Sequence, residues 1–170
     1  VGVAHCPSSN MILSSGIAPV IDLRRAGCPI GLGCDGSSSA DSGSLWQEAR
    51  LAMLQGKLVS GASAMTARIA LDVATRGGAE CLGRQGELGE LSVGAVGDVA
   101  VWPLDGPSYA GVLDDPIEGW LRCGPAAARD TIVHGRGVVR DGRLVSPRVQ
   151  EMLTAHRAAA RRFQPQGDTT

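Results

Sequence analysis

The chain has 170 residues, is 44% apolar, and sets 16 Lys and Arg against 17 Asp and Glu for a formal net charge of −1. That balance describes an ordinary soluble protein and excludes a strongly basic nucleic-acid or membrane-surface binder. No stretch reaches the roughly 18 apolar residues of a membrane span. Cys6, Cys28, Cys34, Cys81 and Cys123 are odd in number and show no CxxC spacing, so free, buried thiols in a reducing cytoplasm fit better than a disulfide framework or a zinc finger.

Val1 to His5 reads as a strand that meets the turn signal Cys6-Pro7-Ser8-Ser9-Asn10, where Pro7 denies a ladder its donor. The periodicity of Ile17, Val20, Ile21 and Leu23 predicts a helix over 16–26 with Gly27 just past its end. Cys28 to Asp35 is the next strand, which completes a strand–helix–strand crossover and places the two strands side by side. Asp41 or Ser42 can cap a helix carrying Leu45, Trp46, Ala49, Ala52, Met53 and Leu54, which stops near Gly56 or Gly61. A further helix runs from about Thr66 to Arg76 and is interrupted at Gly77-Gly78.

After Gly83 the texture changes to short β-rich runs punctuated by glycine, Asp98 to Trp102 above all, which predicts an antiparallel sheet. Asp115-Pro116 opens a short helix through Leu121, and residues 130–145 read as strand, turn, strand about Asp141-Gly142. From Pro147 to Phe163 one apolar stripe predicts an amphipathic helix that docks on something, and Gln164 to Thr170 reads as frayed. The chain begins at Val1 within a strand and supplies only about two strands of a parallel sheet, which needs neighbours on both edges, so a piece of a longer protein is expected.

The chemistry centres on Ile30 to Ser39 (IGLGCDGSSS), an apolar run that ends in one carboxylate, Asp35. An aspartate at a strand end before glycine can be a metal ligand, a general base or the cap of the following loop, and spacing does not choose among these. His5 and Cys6 are adjacent in a strand and point to opposite faces, so they do not form a Cys/His pair. His5, His134 and His156 have no spacing that assembles a three-histidine metal cage. SSSADSGS could cradle a phosphate, but the lysine of a phosphate-binding loop is absent.

Taken together, HCPSSN, GLGCDGSSSADS, ATRGGAECLG, VGAVGDVAVWPLD and IVHGRGVVRDGRLV closely resemble the C-terminal part of the amidohydrolase superfamily. The nearest branch holds 8-oxoguanine, guanine and adenosylhomocysteine deaminases and the s-triazine hydrolases. The resemblance implies an α/β fold: residues 1–84 as the last two strand–helix units of a (β/α)8 barrel, 85–146 as part of a small β-sandwich, and 147–170 as a C-terminal helix and tail.

It also implies that Asp35 binds one divalent metal, zinc or alternatively iron, and moves the proton of the attacking water to the leaving ammonia. His5, Ser9 and Asn10 match the loop that borders the substrate in this branch. The pattern departs at Ala40 and Ser44, where 8-oxoguanine deaminases carry Asn, and at Cys34, which replaces a small Val or Thr. The resemblance further implies that the family's paired histidines of strand one, the histidine and glutamate around strand five and the histidine of strand six lie upstream of Val1; without them one carboxylate does not hold a catalytic zinc.

The implied function is hydrolytic deamination of a purine or related N-heterocycle in the cytoplasm, by a homo-oligomer whose other partners are its substrate and its own upstream part. Release of an amine or chloride from an s-triazine is the alternative within the family. A self-contained, non-catalytic binding or structural module is the alternative outside it.

Overall fold

A computed structural model of the chain describes residues 1–40, 42–124 and 127–163. Two strands, β1 (Val3–His5) and β2 (Ile30–Leu32), pair in parallel with Val3 opposite Ile30 and His5 opposite Leu32. Parallel strands need a crossover between them, and this one holds two short helices, α1 (Pro7–Ile12) and α2 (Val20–Arg25).

The expected loop after Cys6 is therefore a helix. Pro7 occupies its first turn, where the missing amide costs nothing and the fixed φ suits the helix, so the residue that suggested a turn starts a helix instead. The helix expected over 16–26 is confined to α2, with Gly27 just beyond it at φ +75°.

The helix α3 (Leu45–Ser60) is capped by Ser44, whose hydroxyl accepts the Gln47 amide at 3.3 Å. Ser44-Leu45-Trp46-Gln47 has the spacing of a capping box, which neither expected cap residue offered. Asp41 lies outside the described residues. Gly56 stays inside α3 because a Cβ there would lie 2.7 Å from Met65, and the helix ends at Gly61, φ +101°.

Thr66 caps α4 (Ala67–Asp72), as the Thr66 to Arg76 expectation requires, but Gly77-Gly78 does not interrupt it. The chain continues through a π-helical turn, Val73–Gly77, into α5 (Gly78–Cys81). A Cβ on Gly77 would stand 2.1 Å from the Ile30 carbonyl oxygen, and one on Gly31 would stand 2.8 Å from Gly78 Cα. These glycines let helix and strand backbones approach closely, which is why they sit within an element.

The core lies between β2, α3, α4 and α6 (Pro116–Cys123), with Ile30, Met53, Met65, Val73 and Leu121 fully buried. Asp72, at the end of α4, accepts from Arg24 Nη2 and from Arg76 Nε, both at 2.8 Å. Burial alone would raise its pKa, but the two guanidinium hydrogen bonds outweigh that and hold the carboxyl below its ordinary value.

A carboxyl with a lowered folded-state pKa stabilises the fold above its unfolded pKa, near about 3.9, and loses that contribution as pH falls through the folded value. Asp72→Asn is therefore expected to lower the melting temperature near neutral pH. The gap to wild type should close as the pH falls through the acid range in a melting series, and a constant gap would rule this account out.

The second sheet is antiparallel, in the order β3 (Val99–Val101), β4 (Asp130–Val133), β5 (Arg136–Arg140), β6 (Arg143–Leu144). Residues 130–145 hold three strands and two turns where one turn was expected. His134-Gly135 (φ 49° and 75°) and Asp141-Gly142 (φ 48° and 72°) both adopt the left-handed pair that suits a two-residue hairpin.

Three tryptophans join this sheet to the first unit. Trp120 of α6 packs edge-on against Trp46 at 6.4 Å between ring centres and tilted against Trp102 at 5.1 Å. The Trp46 indole N–H donates to the Trp120 carbonyl at 3.1 Å.

α7 (Val149–Phe163) forms as expected, and none of its residues is buried, so the surface on which its apolar stripe is expected to dock is not among the described residues. Gln164 to Thr170, expected to fray, lie outside the described residues. The five cysteines are free but half-buried, not core residues, because each sits at an element end or a sheet margin. No described helix is long and apolar enough to cross a membrane.

Candidate active site

The apolar run of β2 ends at Leu32, and three residues later the chain turns at Asp35 in the left-handed conformation, φ +62°. Such a backbone is uncommon for a side chain other than Asn, Asp or Gly, and here it exposes the carboxylate at the carboxyl end of the parallel pair. Ser9, in the first turn of α1, donates its hydroxyl to Asp35 Oδ2 at 2.6 Å, and the Gly36 amide donates to Oδ1 at 2.8 Å.

Ser39 Oγ lies 2.9 Å from Ser9 Oγ and 3.4 Å from Asp35 Oδ2. Each hydroxyl has one proton, so Ser9 gives its own to the carboxylate and receives that of Ser39. The Ser9 hydroxyl first, and then the Gly36 amide, hold the Asp35 carboxyl below its ordinary pKa, so it is ionised at neutral pH.

His5 ends β1 beside this site, and its carbonyl accepts the Gly33 amide at 3.0 Å. Its side chain is 3% exposed and Nδ1 has no hydrogen-bond partner. Burial pushes the imidazole pKa down, against the smaller upward pull of the Glu48 carboxylate. Asn10 follows Ser9 in α1, half-buried, and takes no part in the Ser9–Asp35–Ser39 network. Burial, and then the charge of Asp35, raise the pKa of the Cys6 thiol, and burial with Glu48 raises that of Cys34, so neither is a thiolate nucleophile.

The structure thus brings Ser9 onto Asp35, sets His5 on the neighbouring strand and leaves Asn10 outside the hydrogen-bond network. Two residues at the site escaped the sequence reading. Ser39 is one of four hydroxyls in SSSADS with nothing to separate it from the rest. Glu48 carried a usable signal: it is a carboxylate on the stripe of α3 that also buries Ala49, Ala52 and Met53. It is 1% exposed and accepts the Ser8 amide at 2.9 Å.

Among the described residues no group of three or more His, Cys, Asp or Glu side chains could hold a metal ion. The donor chemistry of Asp35, an exposed and ionised carboxylate, fits one ligand of a divalent ion and no more.

Comparison with known proteins identifies the family. A family model described as "Amidohydrolase family" matches residues 1–138. The 8-oxoguanine deaminase of Pseudomonas aeruginosa PAO1 is 43% identical over 159 residues, covering 94% of this chain and 35% of that protein. The chain therefore spans about a third of the length of that curated relative.

The crystal structure of a zinc-bound adenosine deaminase from Xanthomonas campestris superposes with a TM-score of 0.88 at 28% identity, over 95% of this chain and 37% of that one. Atrazine chlorohydrolase TrzN from Arthrobacter aurescens TC1, complexed with zinc, superposes with a TM-score of 0.83 at 33% identity, over 93% and 35%. An α/β arrangement with a carboxylate at the strand ends, a family model over most of the chain and relatives of this closeness lead to one conclusion: the chain belongs to the amidohydrolase family.

Proposed function

We propose that the full-length protein is a metal-dependent aminohydrolase that removes ammonia from a purine or related N-heterocycle, with 8-oxoguanine as the leading substrate. In this reading residues 1–84 are the last two strand–helix units of a (β/α)8 barrel, 85–146 belong to a small β-sandwich and 147–170 are a C-terminal helix and tail. The observation that carries it is Asp35: ionised, exposed, and held by Ser9 and Gly36 at the carboxyl ends of parallel strands, where barrel enzymes of this kind keep their reacting groups.

Asp35 supplies one ligand, and the remaining ligands are assigned to the upstream part of the protein. A bound zinc would contribute Lewis-acid polarisation and a more acidic water. Asp35 takes a proton at Oδ1 or Oδ2 from the attacking water and returns it to the departing nitrogen, while Ser9 fixes the carboxylate's rotation. His5 and Asn10 are assigned to the substrate side of this carboxylate. The zinc-containing adenosine deaminase and the 8-oxoguanine deaminase relatives support both the metal and the substrate class.

A second reading, displacement of chloride or an amine from an s-triazine, is favoured by the close superposition on atrazine chlorohydrolase. The departures from the 8-oxoguanine pattern do not decide between the two. Ser44 is engaged as the cap of α3, and Ala40 is buried and offers no polar group.

The deciding experiment assays the zinc-loaded full-length protein against 8-oxoguanine and against chloro- and amino-s-triazines, following ammonia and chloride. Ammonia from 8-oxoguanine is the expected result. Chloride or amine release from triazines alone would select the second reading, and turnover of neither class in a zinc-replete preparation would overturn both.

A further inference from the structure

We infer that Glu48 is a positioning residue: its buried carboxylate fixes the first turn of α1 and so keeps the Ser9 hydroxyl on Asp35. The inference rests on the reading of Asp35 as the reacting carboxylate. It begins with an accounting of backbone amides. The first amides of any helix have no partner within it, and those that are buried must find one elsewhere.

In α1 the position before the helix is Cys6, which makes no side-chain cap, and the first residue is Pro7, which has no amide. The first donor is therefore the Ser8 amide, on a residue only 8% exposed. Its partner comes from a different element, 40 residues on: Glu48 Oε2 at 2.9 Å.

The carboxylate that reaches across is itself firmly placed. α3 is capped by Ser44, and it is tied to α6 by the Trp46 indole on the Trp120 carbonyl and by Arg50 Nη1 on the carbonyls of Leu121 and Arg122, both at 3.1 Å. Glu48 thus transmits the position of a long, anchored helix to a short one that lacks a cap of its own.

The next residue along α1 is Ser9, whose hydroxyl makes the 2.6 Å bond to Asp35. A shift of α1 by a fraction of an ångström would lengthen that bond without touching the aspartate.

The test uses the zinc-loaded full-length protein and 8-oxoguanine, or a chloro-s-triazine if that is the compound turned over. Glu48→Ala should lower kcat by about 10- to 100-fold, with KM little changed, as supporting contacts behind an active-site group do. Glu48→Gln, which keeps an oxygen for the Ser8 amide, should recover most of that loss. In a Ser9→Ala background Glu48→Ala should cost nothing further, because both changes act through the same hydroxyl.

Met53→Ala removes a side chain equally buried on α3 that makes none of these hydrogen bonds, and it should leave kcat unchanged at a temperature where it is folded. If Glu48→Ala does not fold, Glu48→Met, which keeps the volume, takes its place. Wild-type kcat in Glu48→Ala alongside an inactive Asp35→Asn would overturn this inference and leave the reading of Asp35 intact. Full activity in Asp35→Asn would overturn that reading itself. Additive losses with Ser9→Ala, no recovery by Gln, or an equal loss in Met53→Ala would each reduce Glu48 to a structural residue.

Discussion

Asp35→Asn in the full-length, zinc-loaded protein is expected to lower kcat by at least about a thousandfold, the upper part of what a positioned proton-transfer group contributes, and to leave the melting temperature nearly unchanged. Asparagine is the informative replacement because of the backbone. Asp35 sits at φ +62°, a conformation asparagine adopts as readily as aspartate and alanine does not. The amide oxygen still accepts a hydrogen bond from Ser9 or Gly36, so the loop keeps its shape. What disappears is the negative charge and the capacity to take a proton.

Zinc content should fall as well, since a neutral amide is a weaker ligand. Turnover assays and metal analysis on the same preparation check both points, and near-wild-type turnover with normal zinc would sink the assignment. Asp35→Ala would be harder to interpret, since it also leaves the buried Ser9 hydroxyl without its acceptor.

The largest expected loss of stability is Trp120→Ala, about 3–5 kcal/mol, the range for removing a large buried aromatic side chain. Trp120 is 8% exposed and fills the space between Trp46 of α3 and Trp102 beyond β3, so its ring contributes to two aromatic pairs at once. The Trp46 hydrogen bond would survive, because its acceptor is the Trp120 main-chain carbonyl.

Trp120→Phe should cost much less than Trp120→Ala. The buried Trp120 indole N–H has no partner, and replacing it with a ring edge removes an unsatisfied donor. Urea unfolding of the full-length variants measures the difference, and a loss below about 1 kcal/mol for the alanine variant would show that the seam relaxes around the vacancy.

Where an element is specified locally, the sequence was a sufficient guide. The helix start at Thr66 and the one at Asp115-Pro116 each rest on a side chain bonding its own neighbourhood, the Asp141-Gly142 turn rests on two residues that tolerate left-handed backbone, and each stands where it was expected. Asp35 stood out for a similar reason: an apolar run that ends in one charge leaves few candidates.

What failed to show depends on contacts distant in the chain. Pro7 suggests a turn until the buried first turn of α1 is seen to be satisfied from Glu48, 40 residues away. Gly77-Gly78 suggests a helix end until the backbone of β2 is found pressed against it. Ser9 was placed at the site by family resemblance alone, and its role as the anchor of Asp35 came from the fold. Glu48 had only its place on the buried stripe of α3 to mark it, and what that carboxylate does became visible only with its partner, the Ser8 amide.

The tryptophan seam also determines what this chain can report about itself spectroscopically. All three tryptophans of the sequence, Trp46, Trp102 and Trp120, belong to one cluster, and the one tyrosine and one phenylalanine lie outside it. The intrinsic emission of these residues is therefore a gauge of a single place, the junction between the parallel strands with their helices and the antiparallel sheet. Closely coupled indoles also give this junction a near-ultraviolet dichroism that vanishes when the rings part. A red shift in emission would signal separation of the two units, whereas events confined to α7 would pass unseen in this light.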